Sequence, residues 1–483
     1  MKWLTLLLIS LCLLACKPNE TRTDIRFSIA QAPLNLDPRY ATDAASERVN
    51  RLIYQPLVDF DTASRPAWLL ALNTAARGDA INTLEYKFSL QKNATFHNGS
   101  ALNSHDVKAT YDSLKILKDS PHAAEFANIA AIEVIDNKTL IFKLKQVDTH
   151  FISKLIIGIL PKSLIEKNHD FSRNPIGSGA LKFVDWQHDL KLKRLVDSQL
   201  ITLQEVKDPT VRVLKLQKGE IDLIQGDLPP ELVKHLQTMP NLHVDTGWGA
   251  NYSYLGLNMQ DPVLKQLKVR QAIAYAINRQ AIIDKVMVHN TRTAGAILPP
   301  EHYTNTNNQL TPYEYNPALS KKLLIEAGIK LPLKLVYKTS TDAFRVRLAT
   351  IMQAQMAEAG ILLEIKSLDW GTFFADVKAG NFQLFGLTWV GIKTPEIYAK
   401  VFGSQNFPPN GFNRGRYADA ELDKLLAEEN WPGATQRIHA QLPYIPLWFE
   451  GQFVAMQKNI KNYAPKADGN WDDLATIRNV NKK

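Results

Sequence analysis

Residues 321–389 alternate between two hydrophobic periods, and this restricts the fold more than any other feature of the chain. A helical stretch is followed by the strand-like "LPLKLVYKT". Next comes "RVRLATIMQAQMAEAG", a helix closed by Gly360, and then the strand "ILLEIKSLDW". A further helix leads to the alternating run "NFQLFGL", which ends at Trp389. Apolar steps of three and four mark helices, and strict alternation marks strands. Strands separated by helices of this length pair in parallel, so the region predicts an α/β fold with a partly parallel sheet. The chain has 483 residues, more than one hydrophobic core organises, which predicts roughly two or three domains.

The other segments read as follows. Residues 26–30 form a strand, followed by the two-proline loop "APLNLDPRY". "SERVNRLIYQPLVDF" carries Val49, Ile53 and Leu57 at helical steps, and Pro56 ends its regular part. In "LEYKFSLQ", Leu84, Tyr86, Phe88 and Leu90 alternate as one face of a strand. A turn at Asn98-Gly99 and a cap at Asn103 or Ser104 precede a helix with Val107, Tyr111 and Leu114 on one side. Asp136-Asn137-Lys138 is a hairpin turn, and Gly219 closes the helix of "VRVLKLQKG". "LHVDTGWGANYSYLGLNM" is expected to be a strand pair, with Tyr252 and Tyr254 on one face. The helix of "KVRQAIAYAINRQAIIDKVM" breaks near Asn278 and restarts.

The N-terminus has a different character. Lys2 precedes an apolar run over residues 3–14, too short to span a bilayer, as in a secretory signal. The run ends in Leu13-Leu14-Ala15-Cys16, which resembles the bacterial lipobox. The resemblance implies cleavage after residue 15, lipidation of Cys16 and a short tether over 16–23; a plain signal peptide is the alternative. The only other cysteine, Cys12, would leave with the leader, so the mature chain is expected to have no disulfide. No later apolar run is long enough for a membrane helix. The net charge is +9, but the lysines are scattered. That argues against nucleic acid and for a solvated surface facing anionic envelope polymers.

A search for reactive chemistry finds little. The eleven histidines are dispersed, with no HExxH and no CxxC. "PIGSGAL" has neither the GxSxG spacing nor the third glycine of a dinucleotide loop, and a strand follows it. Asp472-Asp473 and Glu428-Glu429 are adjacent pairs that would point apart on a helix. We therefore expect no enzyme, no metal site and no cofactor, and a binding protein instead.

Several segments resemble, in order, those of one family. They are "LNLDPRY" with "LIYQPLVDFD", "YKFSLQKNATFHNGSALNSHDVKATYDSL", "NPIGSGALKFVDW", "LQKGEIDLI", and "LGLNM" followed by "LKVRQAIAYAINRQAII". The family is the solute-binding protein family 5 of ABC importers, and the resemblance covers nearly all of the mature chain. It implies the type II periplasmic-binding-protein fold: two α/β lobes joined by a two-strand hinge, plus an additional α+β domain. Lobe I is placed at 24–54, 171–249 and 445–483, the additional domain at 55–170, and lobe II at 250–444. "NYSYLGLN" and "PYIPLWF" are expected to be the crossing strands. The resemblance further implies a lipid-anchored monomer at the extracytoplasmic face. It would close on a peptide or related small polar solute and present it to ABC permease subunits with their ATPases. An envelope chaperone that kept the fold but lost transport is the alternative; a hydrolase is a third reading.

The same resemblance assigns candidate ligand-binding residues. Thr388, Trp389 and Val390 match a strand end whose backbone bonds the ligand and whose ring walls a pocket; a core aromatic is the plainer reading of Trp389. Many peptide binders place an aspartate for the ligand α-ammonium three residues later, where this chain has Ile392, then Lys393. Glu396 is the nearest carboxylate that could replace it. His122 matches a ligand-facing aromatic or is a surface histidine. Gln31 and Leu34 match the first ligand-facing strand end, although Pro33 removes one donor. Gln225 and Tyr254 are expected to line the cleft. Arg414, and Arg416 after it, would meet an acidic ligand or are surface arginines. The segment before "PYIPLWF" is shorter than the family's usual one by on the order of one helix.

Overall fold

The computed structural model describes residues 23–72, 84–117, 119–287, 289–304, 310–409 and 411–480. Cys16 and the leader therefore lie outside the described residues. The elements that build the site are β1 (Ile25–Ile29), α1 (Ala44–Ile53), β2 (Leu200–Glu205), β3 (Leu223–Gln225), β4 (Leu242–Leu257), β5 (Leu333–Ser340), β6 (Ile361–Leu368), β7 (Leu384–Trp389) and β8 (Tyr444–Gln457). One sheet runs in the order β6-β5-β7-β4-β8-β3-β1-β2 and continues through Leu190–Arg194 and Leu181–Trp186. At one end β5 pairs in parallel with both β6 and β7; at the other, β1 pairs in parallel with β2 and β3. The parallel pairing expected between 321 and 389 is present, with helix Pro317–Glu326 before β5 and helices Ala343–Glu358 and Trp370–Ala379 in the two gaps.

Among the described residues, only β4 and β8 run through both halves of the sheet, antiparallel from Leu242↔Gln457 to Gly256↔Tyr444. The expected strand pair over "LHVDTGWGANYSYLGLNM" is instead this single 16-residue strand. Gly249 within it serves a close approach. A Cβ at Gly249 would lie 1.6 Å from the Glu450 carbonyl oxygen, beside the register shift between Gly247 and Asn251. The boundaries placed near 250 and 445 fall inside these uninterrupted strands.

Each half of the sheet has its own core. Phe27, Leu203, Leu223, Val454 and Trp471 pack in one cluster; Leu255, Leu335, Met352, Ile361 and Leu384 pack in another. A third core is built from buried residues between Leu57 and Ile159, over a separate four-stranded sheet. There Tyr86, Phe88 and Leu90 point inward as their alternation predicts, whereas Leu84 stands before the strand and is exposed. The helix Ser104–Ile116 starts with a reciprocal capping box between Asn103 and Asp106, satisfying donors that a helix end leaves unpaired. Asp43 caps α1 in the simpler way, accepting from the Ser46 backbone.

Candidate functional site

A cavity of about 430 Å³ lies between α1, the segment around Gly158 and the loop after β7. Distant segments line it: α1 with the segment before it, His122 and Gly158, Val390, Gly391 and Lys393 after β7, and Asp468. Helix α1 is the main wall. Val49, Leu52 and Ile53 face the core, while Glu47, Asn50 and Arg51, at steps of three and four, face the cavity.

Most charge in the wall is internally neutralised. Arg51 forks onto Asp59 at 2.8 and 2.7 Å and reaches both Asp472 oxygens at 3.1 Å. Burial disfavours that guanidinium's charge, but its two carboxylate partners hold its pKa above the ordinary range. Lys393 Nζ donates to Asp468 at 2.6 Å, tying the loop after β7 to the C-terminal segment. Enclosure would raise the Asp468 pKa, yet Lys393 and the Asn470 backbone bring it below the usual value. Glu47 is open to the cavity space, and the low polarity around it raises its carboxyl above the ordinary value against the nearby His122 and Arg48 charges. Asn50 is 8 % exposed, and neither its amide oxygen nor its amide nitrogen has a hydrogen-bond partner within the chain. An unsatisfied buried group of this kind costs about 1–3 kcal/mol.

The candidate residues do not all converge on this cavity. Val390 lines it, as does His122, whose Nε2 lies 2.9 Å from the Ala41 carbonyl oxygen. Trp389 stands behind the wall: the Arg414 guanidinium sits 4.6 Å above its ring, Phe412 meets its edge at 5.9 Å, and its indole N–H is buried without a partner. Arg414 also donates to the Tyr254 hydroxyl at 3.2 Å. Thr388 is a hinge contact, with its hydroxyl 2.8 Å from Ser253 Oγ and 3.1 Å from Glu450. Glu450 in turn accepts from Arg345 at 2.9 Å. Tyr254 does not line the cleft. It is fully buried, stacked 4.0 Å from Tyr444 and 5.8 Å from Tyr252, because β4 lies in the middle of the sheet.

Gln225 lines a second cavity of about 500 Å³ at the hinge, together with Asn251, Arg345 and Glu450. It is held there by the Gly469 carbonyl at 3.0 Å and the Tyr463 hydroxyl at 2.6 Å. Arg48 lines both cavities. Gln31 and Leu34 line neither, and Leu34 is 63 % exposed. The Leu34 and Asn35 backbones donate to Ser46, which turns this segment away, so Ala41, Thr42 and Ala44 reach the cavity instead. Arg416 spends its guanidinium on the Arg414 and Lys378 carbonyls.

Ile392 packs into the apolar cluster around Phe385 and Tyr398. Glu396 is not free to replace the missing aspartate. His150 of the additional domain holds it at 2.8 Å and also lies 3.3 Å from Glu429. Glu47 and Asn50 escaped the sequence reading, although their polar spacing on α1, opposite Val49 and Ile53, is visible there. Among the described residues no group of three or more potential ligands gathers to hold a metal ion, and no helix is long and apolar enough to cross a membrane.

Comparison with known proteins gives this geometry a family. Residues 74–409 match the model of the bacterial extracellular solute-binding proteins, family 5. The glutathione-binding protein GsiB of Salmonella choleraesuis is 27% identical, over 98% of each chain. The oligopeptide-binding protein AppA of Bacillus subtilis is 25% identical, over 94% of this chain and 91% of its own. Among solved structures, the substrate-binding protein CtaP of Listeria monocytogenes superposes with a TM-score of 0.84 at 22% identity, over 95% and 99% of the two chains. The architecture is thus the type II periplasmic-binding-protein fold. The chain belongs to family 5 of the bacterial extracellular solute-binding proteins, which bind and deliver solutes and catalyse no reaction.

Proposed function

We propose that this protein is the capture subunit of an ABC importer outside the cytoplasm, taking up a peptide or related small polar solute. The observation that carries this reading is the cavity walled by α1, the segments around His122 and Gly158, the loop after β7 and the C-terminal segment. Its volume falls within the roughly 300–1,000 Å³ of small-ligand sites. The names of the relatives add support: they record oligopeptide and glutathione binding for those proteins. An enclosed space of this size suits a small solute better than an unfolded client, which disfavours the chaperone alternative.

Capture works by closure. Lys393–Asp468 and His150–Glu396 join parts of the chain that separate when the lobes open, as does the hydrogen bond from the Tyr303 backbone to Ala63. Solute bound between the lobes favours the closed form only through contacts that the open form lacks. Permease and ATPase subunits would then read the closed state, and a lipid on Cys16 would keep the protein at the membrane. Native mass spectrometry of protein purified from the envelope tests this: we expect a small peptide-like adduct that denaturation releases. Recovery of unfolded polypeptides alone would overturn the reading.

A further inference from the structure

The hinge cavity of about 500 Å³ lies at the carboxyl ends of strands from both ends of the sheet. Ala30 follows β1, Lys207 follows β2 and Gly226 follows β3, whereas Asp342 and Arg345 follow β5; Glu450 and Gln452 belong to the crossing strand β8. Open α/β sheets place ligands outside such strand ends. Three helices also begin here. Pro209 and Pro230 open the helices Pro209–Gln217 and Pro230–Gln237, and Asp342 caps Ala343–Glu358. A helix N-terminus carries the equivalent of roughly half a positive charge and attracts anions. Asp342, and Asp208 beside Pro209, offset this at two of the three starts, but the helix Pro230–Gln237 has no side-chain cap.

The charged side chains of the wall leave two cations, Arg48 and Lys207, without an acceptor. Arg212 engages the Val206, Lys207 and Asp227 carbonyls, and Arg345 donates to Glu450 at 2.9 Å. Asp342 accepts from the Arg345 backbone at 2.8 Å, and Asp227 is exposed to water, which screens it. Arg48 and Lys207 make no ion pair and no side-chain hydrogen bond among the described residues. The Trp471 ring places Arg48, whose guanidinium stands 5.4 Å from its centroid. Gln452 is 9 % exposed, and its carboxamide likewise has no hydrogen-bond partner among the described residues. Unlike the amide of Asn50, its polar atoms keep accessible surface, and that surface opens onto this cavity. A Cβ at Gly469 would lie 2.8 Å from Arg48 Nη2 and 3.3 Å from Gln452 Oε1, so the two heads stand side by side.

Guanidinium and ammonium donors without an acceptor in the chain, joined by a carboxamide N–H, complement an oxyanion. We propose that the hinge cavity is a second binding site, which holds a small oxyanion, a carboxylate or a phosphate, through Arg48, Lys207 and Gln452. Among the lining residues only Arg48 is shared with the capture cavity, and the site does not depend on what is captured there. A bound anion contacts groups from both ends of the sheet, so it favours the form in which those ends are close.

The test is calorimetric titration of the purified protein, prepared in chloride alone, with inorganic phosphate and with succinate at constant ionic strength. The two arms separate a phosphate from a carboxylate as the group recognised. We expect one of them to bind saturably, with a Kd below about 1 mM. Lys207→Gln and Gln452→Leu should each weaken that binding about tenfold, as loss of a donor to an anion does. The anion-free melting temperature should not fall in either variant, since Lys207 is exposed and Gln452 lacks a partner in the chain. Arg48→Gln should abolish binding, and Arg48→Lys, which keeps the charge, should restore part of it. Crystals grown with selenate, a tetrahedral anion with an anomalous signal, should show it beside Arg48 and Gln452. Binding that none of the variants weakens, or selenate found only elsewhere, means an adventitious ion only and overturns the site. Absence of binding by both anions overturns it as well. Each of these results leaves solute capture standing, because that reading rests on the other cavity.

Discussion

Gly249 shows how much of the account rests on single atoms. It lies where β4 passes Glu450, and any side chain there would collide with a carbonyl oxygen that belongs to the other crossing strand. Overpacking usually costs about 1–3 kcal/mol, and a backbone oxygen yields less than a side chain does. We expect Gly249→Ala to lower the midpoint of urea unfolding by the equivalent of at least ~2 kcal/mol; an unchanged midpoint would show that the crossing can relax. Trp389 is instructive for a different reason. The sequence placed it at a strand end beside the ligand, and the strand end is there, but Arg414 and Phe412 enclose the ring and leave Val390 to face the cavity. The alternation of residues along β7 is a local property and can be read from the chain. Which ring is covered depends on Arg414 and Phe412, which arrive from a later loop, and no local pattern carries that. Tyr254 is a similar case: its pairing with Tyr252 on one face was legible, but its burial depends on Tyr444, supplied by the other crossing strand.

At the scale of elements, loops and helices carry the closure contacts. The loop after β7 supplies Lys393, whose bond to Asp468 joins two segments of the cavity wall. Asp468→Asn keeps the shape and removes the charge. We expect it to weaken solute retention about tenfold, which corresponds to roughly 1.4 kcal/mol, measured by calorimetric titration. Equal affinity in the variant would make the pair incidental to closure. The His150 contact adds a dependence on pH. Burial works against a charged ring, but the Glu396 hydrogen bond and the Glu396, Glu429 and Asp148 charges raise the His150 pKa above its ordinary value. Enclosure would raise the Glu396 pKa, yet His150 and Thr394 bring it below the ordinary one. The histidine's contribution is therefore complete below its unfolded pKa, about 6.5, and is lost as pH rises through the raised value. The glutamate's contribution is complete above about 4.3 and is lost as pH falls through the lowered value. The closed form should be favoured most between these limits. Solute affinity should fall as pH rises above about 6.5 and through the raised His150 value, and His150→Gln should flatten that fall. A wild-type profile flat over the same range would remove His150 from the closure contacts. None of this could be read from the sequence, where His150 and Glu396 are 246 positions apart in different segments. The helix α1 face could have been read: Glu47, Asn50 and Arg51 repeat at helical steps opposite an apolar stripe.

At the scale of the whole molecule, two strands link the halves of one sheet among the described residues, and Lys393–Asp468 is a further side-chain link between them. Such an arrangement bends at the strands and closes at the surfaces, with the cavity between. The α/β alternation was visible in the sequence because it is a pattern of local period; the crossing strands came from the family resemblance, whereas the local pattern suggested a strand pair in place of β4. The cavity was not, since its wall combines residues as distant as Pro38 and Asn470. Small-angle X-ray scattering of the same preparation, solute-free and then saturated with the solute identified by mass spectrometry, tests the central claim most directly. We expect the radius of gyration to decrease on saturation. Superimposable profiles, with calorimetry showing the solute bound, would contradict capture by closure.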